Sequence, residues 1–326
     1  MEFFLPFKIA PFPFPISFRD KILLIGSCFS EEIGKRMKEL KTDVLQNPNG
    51  ILYDPVSISD SLLSYMENKM YKEEDLFEWN GLWHSWKHHS AFSGINSKDV
   101  LEKINLSQNA AHQFLKETKF LIITFGTAFN YEIKSNHQSV ANCHKAPSSL
   151  FEKKLLTADE IIFHILSALK ALDSFHPDLK IIFTVSPVKH TKDGVIENNR
   201  SKARLIEAVH CIIEQRKNAF YFPSYELVTD VLRDYRFYKN DLVHPNEEAV
   251  NFVFEKFCDS VLDDEAKNIC EEIKIIMKAV HHKPFFREGE QHKKFVAVQI
   301  KNISNIERRY PFIDFSKEKK YFNSQL

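Results

Sequence analysis

Glycine is scarce, with 8 in 326 residues, and neither GxxxxGK[ST] nor GxGxxG occurs. That excludes the glycine-rich loops that cradle phosphates. It also makes each remaining glycine a candidate for a backbone conformation that other residues avoid. An excess of charge is missing too: Lys+Arg and Asp+Glu both number 44. Without a basic excess, a nucleic acid is not expected as the main partner. No apolar run approaches the ~18–20 residues that span a bilayer, so no membrane partner is expected. The five cysteines (Cys28, Cys143, Cys211, Cys258, Cys270) are an odd number and form no CxxC pair. They read as reduced thiols of a cytoplasmic protein rather than a disulfide frame. The first residues, MEFFLPFKIAPFPFPISFRDK, lack a basic n-region and a small-residue cleavage site, so they do not read as a signal peptide. Repeats and low-complexity stretches are absent as well.

What is present is globular. Apolar residues make up 44% and charged residues 27%, enough for a sizeable core, and phenylalanine occurs 29 times. Residues 1–20, broken by Pro6, Pro11, Pro13 and Pro15, read as an extended arm whose Phe side chains pack into grooves of the domain. Lys21–Ile25 is a short apolar run ending at Gly26, which predicts a buried strand. Ser30–Leu40 follows, acidic early and basic late, which predicts a helix. Further strands are predicted at Val44–Gln46, Lys119–Phe125, Leu179–Val185 and Phe220–Phe222. Leu76–Trp86 reads as a hairpin or loop. Helices are predicted over Pro55–Asn68, Lys98–Lys116, Ala158–Leu172, Arg200–Gln215 and Asn246–Leu262. Strands alternating with helices imply a three-layer α/β domain with a parallel sheet over residues 21–262. Residues 263–326 show only helical patterns, near Glu265–His282 and Gln291–Arg309, and read as a C-terminal helical extension. Residues 291–320 carry five more basic than acidic side chains, which reads as a solvated helix face, with an interaction arm as the alternative.

Ligands of open α/β sheets gather at the carboxyl ends of the strands. Ser27 stands there, after the first strand and at the start of a helix whose N-terminus favours developing negative charge. A base is available far along the chain, in Asp241-Leu242-Val243-His244-Pro245. A carboxylate three residues before a histidine can hold the imidazole in the tautomer that accepts a serine proton. Cys28 is the rival nucleophile, since a thiol at a helix N-terminus is also activated there. Only one of two adjacent residues can face the crevice.

The turn Gly26-Ser27-Cys28-Phe29 resembles the signature of the GSCFA domain family, within the wider SGNH (GDSL-like) hydrolase group, with Ser30 in place of the family's alanine. Other segments resemble the same family in order: Asn49–Pro55, Phe125–Ala128, Asn142–Lys145, Ser186–Val188, Glu197–Lys202, Arg233–Tyr238 and Asp241–Pro245. The resemblance implies an SGNH-hydrolase-like, flavodoxin-like three-layer fold. It implies Ser27 as nucleophile, His244 as base and Asp241 as its orienting acid. It also implies an oxyanion hole made by the backbone N–H groups of Ser27 and Gly50. The third block departs from the usual Gly-x-Asn-Asp, reading Gly126-Thr127-Ala128-Phe129, so Ala128 stands where an asparagine donor is expected. Asn142 is the candidate substitute, ahead of Thr127 and Asn130. Tyr53, Thr127, His144 and His88 complete the expected substrate contacts.

The densest histidine cluster is Trp83-His84-Ser85-Trp86-Lys87-His88-His89. His84 and His88 share a face if helical, but no carboxylate or cysteine stands at ligand spacing and no HExxH occurs, so no metal is expected. Arg233, Asp234 and Arg236 read as an ion-pair network bracing the Asp241–His244 loop, with recognition of an anionic group as the alternative. Ser201-Lys202 resembles half of a Ser–Lys dyad, but adjacent helix positions face apart. The expected function is serine ester hydrolysis, removing a small acyl group from a small-molecule or carbohydrate ester without a cofactor. The alternatives are acyl transfer by the same residues, a non-catalytic binding protein, and a cysteine-dependent or redox-sensitive protein built on Cys28.

Overall fold

The structure, a computed structural model, describes residues 5–282, 284–286 and 289–325. Strand β1 (Lys21–Gly26) leads into helix α1 (Cys28–Glu39), strand β2 (Val44–Gln46) and helix α2 (Pro55–Glu67). A small hairpin, β3 (Phe77–Trp79) and β4 (Leu82–His84), precedes α3 (Ser97–Glu117) and β5 (Thr118–Phe125). Next come β6 (Phe129–Ile133), β7 (Ser139–Val140), β8 (Phe151–Leu155) and α4 (Ala158–Phe175). Then follow β9 (Lys180–Val185), α5 (Val195–Glu214), β10 (Ala219–Tyr221) and a short α6 (Ser224–Glu226) running into a π-helical stretch, Leu227–Leu232. The chain continues with α7 (Glu247–Val261), α8 (Asp264–His281), α9 (Glu290–Arg309) and α10 (Ser316–Asn323).

The main sheet is parallel throughout, in the order β2-β1-β5-β9-β10. Counted along this sheet alone, that is the flavodoxin-like order 2-1-3-4-5. Its central strands are apolar on both faces because both faces are covered. Ile22, Leu24, Phe120, Ile122 and Ile182 point into one core with Phe29 and Ile33 of α1 and Val253 and Phe257 of α7. Leu23, Ile25, Leu121, Ile123 and Phe183 point into the other, with Leu62 of α2, Leu115 of α3, Ile165 of α4 and Val209 of α5. The expected three-layer α/β fold with a parallel sheet is therefore present.

The C-terminal helices extend the first core. Ile273 of α8, Val296 and Ile303 of α9 and Phe322 of α10 belong to the same apolar cluster as the sheet. Helix α10 was not anticipated; half of its run SKEKKYFN is charged and it buries little beyond Phe322 and Glu318. The N-terminal segment is extended and laid along this seam: Phe12 N–H donates to Ser260 O (2.9 Å) and Ile16 N–H to Val261 O (2.6 Å). Phe12, Ile16 and Phe18 are buried, whereas Phe7 and Phe14 stay exposed. The part of this arm in residues 1–4 lies outside the described residues. Among the described residues, no helix is long and apolar enough to cross a membrane.

Two features shape the sheet's carboxyl edge. The first is the turn after β1. Gly26 has φ +137°, and a Cβ there would lie 2.1 Å from the Thr124 carbonyl oxygen of β5, so only glycine fits. The second is an antiparallel sheet of order β7-β6-β8 inserted after β5, which the sequence did not suggest. Its strands are short and half-exposed, without an apolar run.

Candidate active site

The strand order reverses direction at β1, so the crevice expected of such a sheet opens above the carboxyl ends of β1 and β5. A cavity of about 830 Å³ lies there. Its walls come from Cys28 after β1, Tyr53 before α2, Thr127 after β5, the inserted sheet with the Asn142–Ala146 loop, His190 after β9, and His244 before α7.

The loop before α7 holds its pair as expected. Asp241 Oδ2 accepts from His244 Nδ1–H at 2.8 Å, while Asp241 Oδ1 accepts the N–H groups of Val243 (2.9 Å) and His244 (3.0 Å). These amide hydrogen bonds, then that from the imidazole, hold the Asp241 carboxyl down at about 2. The arrangement fixes the tautomer in which His244 Nε2 is the free acceptor. Pro245 and the Asn246 cap, which accepts from Ala249 N–H at 3.0 Å, start α7 directly behind it. The bracing network is smaller than anticipated. Arg236 pairs with Asp234 (3.1 Å), and Asn246 Nδ2–H donates to Arg236 O (2.8 Å). Arg233 instead caps the preceding helical stretch in a left-handed conformation, φ +56°.

The turn after β1 departs from expectation. Ser27 was expected to expose its hydroxyl; it is 0% exposed and off the cavity wall. It is the N-cap of α1, where its Oγ accepts Phe29 N–H (3.3 Å). Cys28, the first residue of the helix, is the one of the pair that lines the cavity. Burial pushes its thiol up, as does Glu31, while the Lys202 ammonium pulls it down. The thiol therefore rests protonated and needs a base to become a nucleophile.

The expected oxyanion donors are also redistributed. Ser27 N–H donates to Thr124 O (3.1 Å), stitching the turn to β5. Gly50 N–H donates to Asn47 O (2.7 Å) in a turn with φ +76°, and Gly50 is off the cavity wall, against His89. Among the described residues, the Cys28 amide has no acceptor, as befits the first N–H of a helix. Asn142 does line the cavity; its Oδ1 accepts His144 N–H (2.8 Å), and among the described residues its amide N–H₂ is uncommitted. Asn130 is buried away from the cavity, donating to Asp54 and Ser139.

Of the expected substrate contacts, Tyr53, Thr127 and His144 line the cavity and His88 does not. Thr127 spends its hydroxyl on Phe129 N–H and Ser201 Oγ, both at 3.1 Å. His144 Nε2–H donates to Ser85 O (2.9 Å), and burial holds its ring down at about 4, hence neutral. Burial pushes the Tyr53 hydroxyl up to about 12. His88 is 1% exposed, bonded to Ser85 Oγ (3.0 Å) and packed against Tyr71. The segment carrying His84 and His88 is not helical, so the two do not share a helix face. His84 is taken up by Ser93 and Trp79 O.

The sequence reading set Lys202 aside with Ser201, as adjacent helix positions that face apart, and did not consider His190. Lys202, on α5, is 2% exposed and donates to Gly126 O (2.6 Å) and Ser186 O (2.7 Å), tying the turns after β5 and β9 together. Burial brings its ammonium down to about 7. Its neighbour Ser201 accepts Ala128 N–H (2.7 Å), so both residues reach the same turn. His190 lines the cavity with its ring edge-on to Tyr53. The available signal was their place in or beside the Ser186–Val188 and Glu197–Lys202 segments.

Solved structures with a similar course include a carbohydrate esterase family 3 from Talaromyces cellulolyticus and an acetyl xylan esterase (Est2A) from the rumen bacterium Butyrivibrio proteoclasticus. The first is 10% identical with a TM-score of 0.38, covering 78% of this chain and 99% of that one. The second is 10% identical with a TM-score of 0.38, covering 75% of this chain and 64% of that one. No curated protein matches the chain. The model of the GSCFA family matches residues 21–257, and that of the GSCFA domain protein, C-terminal domain, matches residues 273–326. With its signature turn, its crevice and most of its length inside these matches, the chain belongs to the GSCFA family.

Proposed function

We propose that the protein is an acyl-ester hydrolase whose nucleophile is Cys28. The observation that carries this reading is the shared cavity: Cys28 and His244 line it together, while Ser27 is fully buried as a helix cap. His244 Nε2 takes the thiol proton as sulfur attacks the acyl carbon. The tetrahedral oxyanion gathers beside the free Cys28 amide at the helix N-terminus. It collapses as the ester C–O bond breaks, and His244 returns the proton to the leaving alcohol. Water then attacks the thioester, again giving its proton to His244. The Cys28 thiolate leaves, is reprotonated, and the carboxylic acid departs. Asp241 keeps His244 in register throughout. The cavity is open enough for an acyl group on a larger alcohol such as a sugar. If a second alcohol replaces water in the last step, the same residues perform acyl transfer.

The experiment is acylation by p-nitrophenyl acetate, followed as nitrophenol release and by mass spectrometry of the intact and digested protein. A burst with acetyl on Cys28, retained in Ser27→Ala and lost in Cys28→Ala and His244→Ala, is the expected result. Acetyl or fluorophosphonate label on Ser27 would return the nucleophile to the serine. Label on neither residue, with no turnover across short-chain acyl esters and acetylated sugars, would favour a binding protein.

A further inference from the structure

We propose that His190 is a catalytic residue of this site, its Nε2–H donating to the oxyanion formed on attack by Cys28. The proposal rests on the hydrolase reading above and adds a group that the sequence analysis did not consider.

The site is short of donors. The expected asparagine is Ala128, and the amides of Ser27 and Gly50 are spent on Thr124 O and Asn47 O. His190 offers one. It sits on the cavity wall with Cys28 and His244, and its Nε2 is buried with no hydrogen-bond partner among the described residues. An unpaired buried imidazole nitrogen is a cost to the resting fold. An oxygen bearing developing negative charge removes that cost only when the tetrahedral intermediate forms, which is the differential binding that speeds a reaction.

The nitrogen is also held near the right turn. A Cβ built on Gly126 would lie 3.3 Å from His190 Nε2, 3.3 Å from Ser27 Cβ and 3.0 Å from the Tyr53 ring. The imidazole thus faces the junction where β5 ends and α1 begins, beside the nucleophile's own residue pair. Its position is fixed from both sides. His190 N–H donates to Asn198 Oδ1 (2.8 Å), and the neighbouring Lys189 N–H donates to Val243 O (3.2 Å) in the His244 loop. The two imidazoles are therefore carried by directly bonded segments.

Their environments differ in kind. His244 has a carboxylate on Nδ1 and an accepting Nε2. His190 has no carboxylate bonded to its ring among the described residues. Burial, with the Lys202 ammonium and His244 nearby, holds it at about 3, so it stays neutral and keeps a single N–H. One ring moves the proton and the other receives the charge.

The test compares two reactions of the same thiol. Acylation by p-nitrophenyl acetate passes through an oxyanion; alkylation by iodoacetamide does not. His190→Leu is expected to slow Cys28 acylation about 10²-fold through kcat, with KM little changed, and to leave alkylation within twofold. His190→Gln, which retains an N–H donor, is expected to keep more of the acylation rate, and it serves as the test should the leucine variant not fold. Wild-type acylation rates in both variants would overturn the proposal. So would an equal loss of acylation and alkylation, which would place His190 on the thiol rather than the oxyanion. Failure of the wild-type protein itself to acylate at Cys28 would show that the underlying hydrolase reading has failed, before any variant is compared.

Discussion

An N-cap residue keeps extended backbone and turns its side chain toward the amides of the first helical turn. Ser27 does this, with φ −69° and ψ 173° and its Oγ on Phe29 N–H. The next residue is helical and points its side chain elsewhere, here into the cavity. One peptide bond thus separates a capping hydroxyl from a thiol on the cavity wall. If Ser27 is a cap, Ser27→Ala lowers stability by about 1 kcal/mol in urea unfolding while Cys28 acylation persists. A loss of acylation without a loss of stability would contradict this division.

At the scale of elements, two strand ends, those of β5 and β9, meet through one helix. Lys202 reaches from α5 to Gly126 O after β5 and Ser186 O after β9, and Ser201 receives the Ala128 amide. These contacts hold the turns that carry Thr127 and His190. Lys202→Met leaves two buried carbonyls without that donor. It is expected to cost about 1–3 kcal/mol in denaturant unfolding and to lower turnover through misplacement of the β9 turn. Unchanged stability would mean that the amine is replaceable by water or a shifted backbone. The inserted β6–β8 sheet supplies Phe129, Tyr131, Phe151 and Lys153 to the far wall, with Lys153 held by Asp193. That wall of the cavity therefore comes from an element outside the parallel sheet.

The molecule as a whole carries several histidines that burial keeps neutral. His88 and His190 are held at about 3 and His144 at about 4, against an ordinary value of 6.5. The unfolded chain takes up these protons near pH 6.5 and the folded chain does not until far lower. Stability is therefore lost as pH falls from about 6.5 toward 4. Asp54, raised by burial, opposes this, since its folded form binds a proton more readily than the unfolded chain. Asp241, lowered from 3.8 to about 2, contributes stability above its unfolded value that is lost as pH falls from about 3.8 through about 2. The expected outcome is a thermal midpoint that drops between pH 7 and pH 5, with a smaller drop in His88→Gln. Equal drops in both proteins would remove His88 from this account.

The sequence by itself determined the elements of the parallel sheet and the local pair, but not the inserted sheet or α10. Apolar runs marked the buried parallel strands, because strands covered on both faces need apolar residues at every position. Asp241 and His244 meet because three residues of one turn suffice to bring a carboxylate to an imidazole, whatever the rest of the chain does. Only the tertiary structure decided which of Ser27 and Cys28 faces the crevice, since that depends on the angle at which α1 leaves β1 against Thr124. The same holds for Gly50, whose amide the Asn47 turn consumes, and for His88, which Tyr71 and Ser85 enclose. The gathering of His190 and Lys202 about the turn that carries Cys28 joins strands far apart in the chain, and local patterning carries no record of contacts at that separation.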